Sequence, residues 1–327
     1  MHYVAVVIGV EAQQLPVVME PFNQCTENPA FLQFDDVEDT YLNRYETEFT
    51  DKIRLNDGTL KWPWDESFKE GSLFDGKRTY PPDSERVQIA YRELYPDFET
   101  FMEDYADVSR DEETGRYGNW TNLKGVWDWY VVGGRWSGFF KNKPGTPHRF
   151  VPNRYEAPPP TGFSDLVRVG DWDFAGQMDQ AAERAARHYV RVYEVLDGRP
   201  LPPPWQDVLQ AHNGNMAAAR EASQAHPTNI FINSLWSDPK MREEGLFDPF
   251  TAIADEYGCS LEQYIERARL RTATPYAILK DGEWVSRRLK GGKLGEEIPE
   301  LEWCRKIHGV YSELSPDTEL IAVDYHC

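Results

Sequence analysis

The two ends of the chain constrain its fold most. The first reads HYVAVVIGV, from His2 to Val10, and the last reads ELIAVDYHC, from Glu319 to Cys327. Both are short and largely apolar, and the first is rich in β-branched residues, as is typical of strands buried on both faces. Because an exposed apolar edge invites pairing with other chains, we predict that the two strands are neighbours inside one sheet.

Several helices and one further strand pair are predicted between these ends. Amphipathic spacing predicts a long helix from Asp173 that stops at Gly198. The other predicted elements are a helical hairpin across Pro204 to Ala225, a helix capped by Ser260 and Gln263, a strand pair turning at Asp281-Gly282, and a helix from Glu300 to Leu314. This order predicts an α+β fold with one mixed or antiparallel sheet and helices on one side, and it is compatible with ferredoxin-like elements.

The middle of the chain is expected to interrupt this sheet twice. Residues 11–122 are rich in Asp, Glu, Tyr and Pro, and we predict an irregular acidic insertion with one helix near Glu85 to Tyr95. Residues 171–272 are predicted to form a helical insertion. A single α+β domain over residues 1–327 is then the most economical organisation.

Charge, cysteine usage and the length of apolar runs restrict the binding partners and the location that we expect for the protein. The chain of 327 residues has 55 acidic and 35 basic residues, a net charge of -20 that opposes generic binding to nucleic acid. Its four cysteines form no CxxC pair, and no apolar run approaches the ~20 residues that a membrane helix needs. We therefore expect a cytoplasmic protein that does not bind membranes.

The stretch GVWDWYVVGGRWSGFF, from Gly125 to Phe140, combines six aromatic residues with a central Gly-Gly. A two-residue turn at Gly133-Gly134 would form a β-hairpin with two distinct faces. The core face would carry Trp127, Trp129, Val131, Trp136 and Phe140, and the polar face Asp128, Tyr130, Arg135 and Ser137. The stretch therefore predicts core on one side and a candidate site on the other.

Two interpretations of the polar face stay open. Asp128 and Arg135 could simply pair with other surface charges while Tyr130 packs. Alternatively, a rigid aromatic hairpin is the kind of platform that positions functional groups. The predicted ligand-binding residues are then Arg135, Tyr130, Ser137 and the backbone N–H groups of Gly133 and Gly134, which can face an anion.

The last strand carries a second candidate group. Asp324 and His326 are two residues apart and so share a face of the strand, as an acid–base pair would. With Asp128 they are the candidate catalytic residues, although no known catalytic motif is present and no metal site is predicted. The loop KGGKLG, Lys290 to Gly295, could contact a phosphate, but no cofactor can be named from the sequence.

These motifs together resemble a family of uncharacterised proteins found in tailed bacteriophages and, as phage-derived genes, in bacteria. The resemblance rests on VAVVIG near the start, WDWYVVGGRWSGFF followed by KPG, DWDF, PYAILKDGEW, and SPDTELIAVDYHC at the end. One departure is KLGEE, from Lys293 to Glu297, where the family has a tryptophan-rich segment. Any role of those tryptophans therefore does not carry over.

The resemblance implies an accessory protein made in an infected cell, in the host cytoplasm, but no activity. One hypothesis is that the protein binds a nucleotide or another phosphate-bearing small molecule, with processing of that ligand left open, and so counters host defence. The alternative is an acidic inhibitor or nucleic-acid mimic that occupies a host protein. A virion component is a third, weaker reading. A basic patch within an acidic surface would favour the first hypothesis, and a continuous acidic face the second.

Overall fold

A computed structural model of the protein describes residues 1–70, 77–152, 158–247, 253–288 and 296–327. The chain forms two compact units, the first made of Met1–Met19 with Trp127–Cys327 and the second of Glu20–Val126. The second unit has nearly the bounds predicted for the acidic insertion, while the organisation as a single domain stays a prediction. The loop Lys290 to Gly295 lies outside the described residues.

A mixed six-stranded sheet forms the centre of the first unit. Its strands are β1 (His2–Ile8), β2 (Trp129–Val132), β3 (Leu166–Arg168), β4 (Ala277–Lys280), β5 (Glu283–Ser286) and β6 (Glu319–His326). The order is β3-β6-β1-β4-β5, and β2 also pairs with β6. Strand β1 is parallel to β4, and the other pairs are antiparallel. The predicted adjacency of the first and last strands is confirmed, as is the α+β fold.

The outer edge of β6 is shared by two separate segments. Val132 of β2 pairs with Val323, and Leu166 of β3 pairs with Ile321. Between them, Ala322 accepts a hydrogen bond from the N–H of Gly133 and donates one to the carbonyl of Asp165. Strands β2 and β3 are thus fixed by β6, not by each other.

The predicted hairpin at Gly133-Gly134 is therefore wrong. Gly134–Trp136 is a 3₁₀ turn that follows β2, and Phe140–Lys141 pairs instead with Phe163–Ser164. The predicted core face is correct for Trp127 and Phe140, which are buried, but wrong for Trp129, which is 44% exposed, and for Trp136, which is only half-buried. Long-range pairing with the apolar last strand outweighed the local turn preference of Gly-Gly.

The helices of the first unit follow the predicted pattern closely. The long helix begins after Asp173, whose carboxylate caps the N–H of Gly176, and it ends at Leu196. The capping box of Ser260 and Gln263 is present. The helices are Leu15–Met19, Phe174–Leu196, Trp205–Ala211, Met216–Ala225, Pro227–Leu235, Pro239–Glu244, Ile253–Tyr257, Leu261–Arg271 and Glu300–Ser312.

One core layer lies between the sheet and the last helix. Trp303, Ile307 and Tyr311 of that helix pack with buried residues of β1 and β6, and Phe140 and Trp172 join the same cluster. The β4–β5 turn has positive φ at both Asp281 and Gly282, as predicted for a type I′ hairpin.

The second unit has small sheets and an aromatic core. Its strands pair as Gln33–Asp36 with Gly118–Thr121, Phe49–Arg54 with both Leu60–Lys61 and Glu85–Ala90, and Lys69–Glu70 with Lys77–Arg78. Its α-helices are Glu38–Thr47, Tyr91–Leu94 and Phe98–Phe101. The helix predicted near Glu85 to Tyr95 is wrong for its first six residues, which are a strand because they pair with Phe49–Arg54. Across the described ranges of both units, no helix is long and apolar enough to span a bilayer.

Candidate functional site

Polar side chains converge where the start of β1, the start of β2 and the end of β6 meet. His2 lies directly opposite His326, Val4 is opposite Asp324, and Trp129 is opposite His326 on the other side. Because side chains alternate along a strand, His2, Trp129, Asp324 and His326 all lie on one face of the sheet. With Asp128 and Arg135, which contact two of them, we call these six residues the histidine site.

The buried carboxylate of Asp324 holds His2. Asp324 is 1% exposed, and its Oδ1 lies 3.1 Å from Nδ1 of His2. Its Oδ2 accepts a hydrogen bond of 3.0 Å from the backbone N–H of Arg135. An ionised carboxylate can only accept hydrogen bonds, so Nδ1 of His2 carries the proton and Nε2 of a neutral ring is left as an acceptor.

A second carboxylate holds His326 in the same manner. Nδ1 of His326 lies 2.9 Å from both oxygens of Asp128. Burial by itself raises the pKa of Asp128, but the hydrogen bond and positive charge of His326 outweigh it, so this pKa lies below its ordinary value. Asp128 is therefore an anion at neutral pH and fixes the tautomer of His326.

The two imidazoles and one indole form a compact cluster. The ring centroids of His2 and His326 are 5.2 Å apart, and Trp129 lies edge-on to His2 at 5.2 Å and parallel to His326 at 6.2 Å. Neither Nε2 atom is hydrogen-bonded to a described residue. A histidine held by a carboxylate at Nδ1 presents Nε2 for proton transfer, so this cluster has the groups of an acid–base site.

Arg135 is joined to this cluster through its backbone. Its backbone is tied to Asp324, its side chain is exposed, and its guanidinium forms no ion pair within the described ranges. Guanidinium groups form paired hydrogen bonds with phosphate or carboxylate groups. Arg135 is therefore available to an anionic ligand.

The other predicted ligand-binding residues lie elsewhere. Tyr130 is opposite Tyr325, so it lies on the other face of the sheet, where its ring meets Trp127 edge-on at 5.0 Å. The hydroxyl group of Ser137 donates to Oδ2 of Asp165 at 3.2 Å. The structure thus unites Asp128, Arg135, Asp324 and His326 but places Tyr130 and Ser137 outside the histidine site.

The Gly-Gly turn lies against two carboxyl groups of the protein itself. The N–H of Arg135 binds Asp324, and the N–H of Gly138 donates to Asp165 at 2.6 Å. A Cβ atom on Gly133 would collide with the carboxylate of Asp165, and one on Gly134 with the side chain of Asp324. The turn needs glycine because it wraps closely around two buried carboxylates.

Sequence reasoning missed His2 and Asp165. Asp165 is 2% exposed, and burial raises its pKa, while hydrogen bonds from Gly138 and Ser137 act in the opposite sense. A single acidic residue in FSDLV, directly before the apolar pair Leu166-Val167, was a signal for a buried, hydrogen-bonded carboxylate. His2 could have been found by aligning the first strand against the last, since an antiparallel pair brings the two ends of the chain together.

Neither metal coordination nor a known relative indicates a function for the histidine site. In the parts of the chain that the structure describes, no group of three or more His, Cys, Asp or Glu residues is arranged to hold a metal ion. No protein family model matches the chain, and neither a curated protein nor a solved structure matches it. The resemblance to a phage protein family therefore stays a prediction.

Proposed function

We propose that the protein binds a nucleotide or another phosphate-bearing small molecule at the histidine site. The observations that carry this proposal are two histidines oriented by carboxylates and an exposed arginine, Arg135, whose backbone N–H binds Asp324 and whose guanidinium forms no ion pair in the described ranges. A phosphate group accepts hydrogen bonds from both kinds of side chain, and the guanidinium matches two of its oxygens at once.

Trp129 and the overall charge favour a small ligand that carries a planar ring. Trp129 lies on β2, at the outer edge of β6, and is 44% exposed, so its ring can stack on a base. The net charge of -20 repels a long polyanion, while a mononucleotide needs only the local field of Arg135 and the histidines.

Binding of AMP and of inorganic phosphate, measured by calorimetry and by quenching of tryptophan fluorescence, tests the proposal. Arg135→Lys keeps the charge but loses the planar fork, so we expect AMP affinity to fall by about tenfold or more. Arg220→Lys, at another exposed arginine without a described ion pair, is the matched control and should bind normally. Equal affinity of Arg135→Lys and wild type, or no binding of either probe, would contradict the proposal.

The biological setting that we propose is an infected bacterial cell, where the protein acts as a phage accessory factor that counters host defence by binding such a ligand. The resemblance of the WDWYVVGGRWSGFF motif supports this setting. Arg135→Lys and Asp128→Asn should both stay folded and lose the effect on phage infection. Full activity of both variants would favour the alternative below.

The alternative is an acidic inhibitor or nucleic-acid mimic that occupies a host protein, and one observation favours it. The second unit, Glu20–Val126, contains 25 acidic and 12 basic residues, so it carries -13 of the net charge of -20. Replacing exposed acidic residues of this unit by their amides should then abolish the effect on infection, whereas Arg135→Lys should not.

A further inference from the structure

His2 and His326 lie side by side, and their side chains are held in the same manner. Each ring is bound at Nδ1 by a carboxylate, and each Nε2 lacks a hydrogen bond to the described parts of the chain. The two side chains are 19% and 34% exposed, so a ligand can reach both. Two imidazoles in one site can act as general base and general acid, one accepting a proton while the other donates one.

We propose that His2 and His326 form an acid–base pair that cleaves a short ribonucleotide phosphodiester through attack by its own 2′-hydroxyl group. This inference rests on the phosphate binding proposed above. The neutral imidazole removes the proton of the 2′-hydroxyl, and the bond from O2′ to phosphorus forms. The bond from phosphorus to O5′ breaks, and the protonated imidazole gives its proton to O5′. The products are a 2′,3′-cyclic phosphate and a free 5′-hydroxyl; nothing is oxidised or reduced, and proton exchange with water resets the pair.

This reaction fits the groups present. The nucleophile belongs to the substrate and is already adjacent to phosphorus, so the protein needs to supply two proton transfers and to stabilise the negative charge of the transition state. The histidines carry out the two proton transfers, and Arg135 stabilises the negative charge. The net charge of -20 restricts the substrate to one or a few nucleotides.

The surroundings of the two rings assign their roles. Asp324, which holds His2, is 1% exposed, so its charge acts on the imidazolium through a medium of low dielectric constant. Asp128, which holds His326, is 30% exposed, and solvent screens its charge. Also joined to the site through the backbone are Arg135 and the two chain ends, since the amino group of Met1 donates to the carbonyl of Cys327, the residue after His326. We assign the role of proton donor to His2, whose carboxylate is the more buried of the two, and the role of proton acceptor to His326.

Two substrates distinguish these roles in the full-length protein. The dinucleotide UpA has a leaving alkoxide that needs a proton, whereas uridine 3′-(4-nitrophenyl phosphate) releases nitrophenolate without one. His326→Ala should slow cleavage of both substrates by about 10²- to 10⁴-fold, and His2→Ala should do so for UpA while sparing the nitrophenyl ester to within about tenfold. The wild-type rate should be bell-shaped in pH. His2→Asn and His326→Asn, which keep a donor for each carboxylate, repeat the test should an alanine variant fail to fold.

His212→Ala is the matched control, because the His212 side chain makes no hydrogen bond in the described parts of the chain, and it should cleave normally. Equal cleavage by wild type and His326→Ala would overturn the inference, and equal losses on both substrates in His2→Ala would overturn the assignment of roles. Binding of the 2′-deoxy analogue of UpA separates the two proposals. If the analogue binds but wild type does not cleave UpA, only the cleavage is refuted; if it does not bind, the phosphate site itself is refuted.

Discussion

Replacement of Gly134 by alanine should destabilise the protein by more than the backbone cost of its positive φ. Gly134 has φ +55°, in the left-handed region, where a residue with a Cβ atom costs roughly 1–2 kcal/mol. Its new Cβ would also collide with Cβ of Asp324, an atom fixed to the backbone of β6 and unable to swing aside. Such overpacking typically costs roughly 1–3 kcal/mol, so the free energy of unfolding should fall by about 2–5 kcal/mol in total.

Gly145→Ala provides the matched control. Gly145 has φ +84°, but a Cβ atom there would meet nothing within 4 Å, so only the backbone cost of roughly 1–2 kcal/mol is expected. Urea unfolding of the two variants, followed by circular dichroism, gives both free energies. Equal losses in the two variants would refute the claim that the turn is wrapped tightly around Asp324.

Three further predictions concern the sheet and two buried charges. Deletion of residues 320–327 should abolish folding, because β6 pairs with three other strands, and an unchanged melting transition would refute this. Burial lowers the pKa of Lys52, which lies over the ring of Trp62, to about 8. The unfolded chain then binds more protons above this pH, so unfolding free energy should rise between about pH 8 and pH 10, and titration of Lys52→Met should lack that rise. Burial raises the pKa of Asp165, so its stabilising contribution is complete below the unfolded value of 3.8 and is lost as pH rises through the folded value. Asp165→Asn should therefore lose less stability than wild type in denaturant titrations as the pH is raised above about 4.

Elements whose signals are local were predictable from the sequence. The long helix has a capping aspartate, Asp173, at its start and Gly198 just past its end, and both act within a few residues of themselves. The Asp281-Gly282 turn needs positive φ at both positions, which the residue types supply. The pairing of the first and last strands was predictable because both are too apolar to form an exposed edge.

The Gly-Gly turn shows where local signals fail. Gly133-Gly134 is compatible with a tight hairpin, but it is equally compatible with any conformation that needs positive φ or a close approach. What selected the observed 3₁₀ turn was contact with Asp165 and Asp324, which lie 32 and 191 residues from Gly133 along the chain. A local pattern does not contain that information.

Some residues of the candidate site could likewise be predicted from the sequence, and others could not. The sequence by itself determined that Asp324 and His326 share a face of the last strand and that Arg135 follows a glycine turn, because these follow from strand periodicity and order. Only the tertiary structure decided that His2 and Asp128 join them while Tyr130 and Ser137 do not. The physical reason is register: antiparallel pairing sets His2 opposite His326, and β2 joins β6 so that Tyr130 points to the other face. Which residues meet across strands depends on long-range packing of the whole sheet, and no short stretch of sequence specifies it.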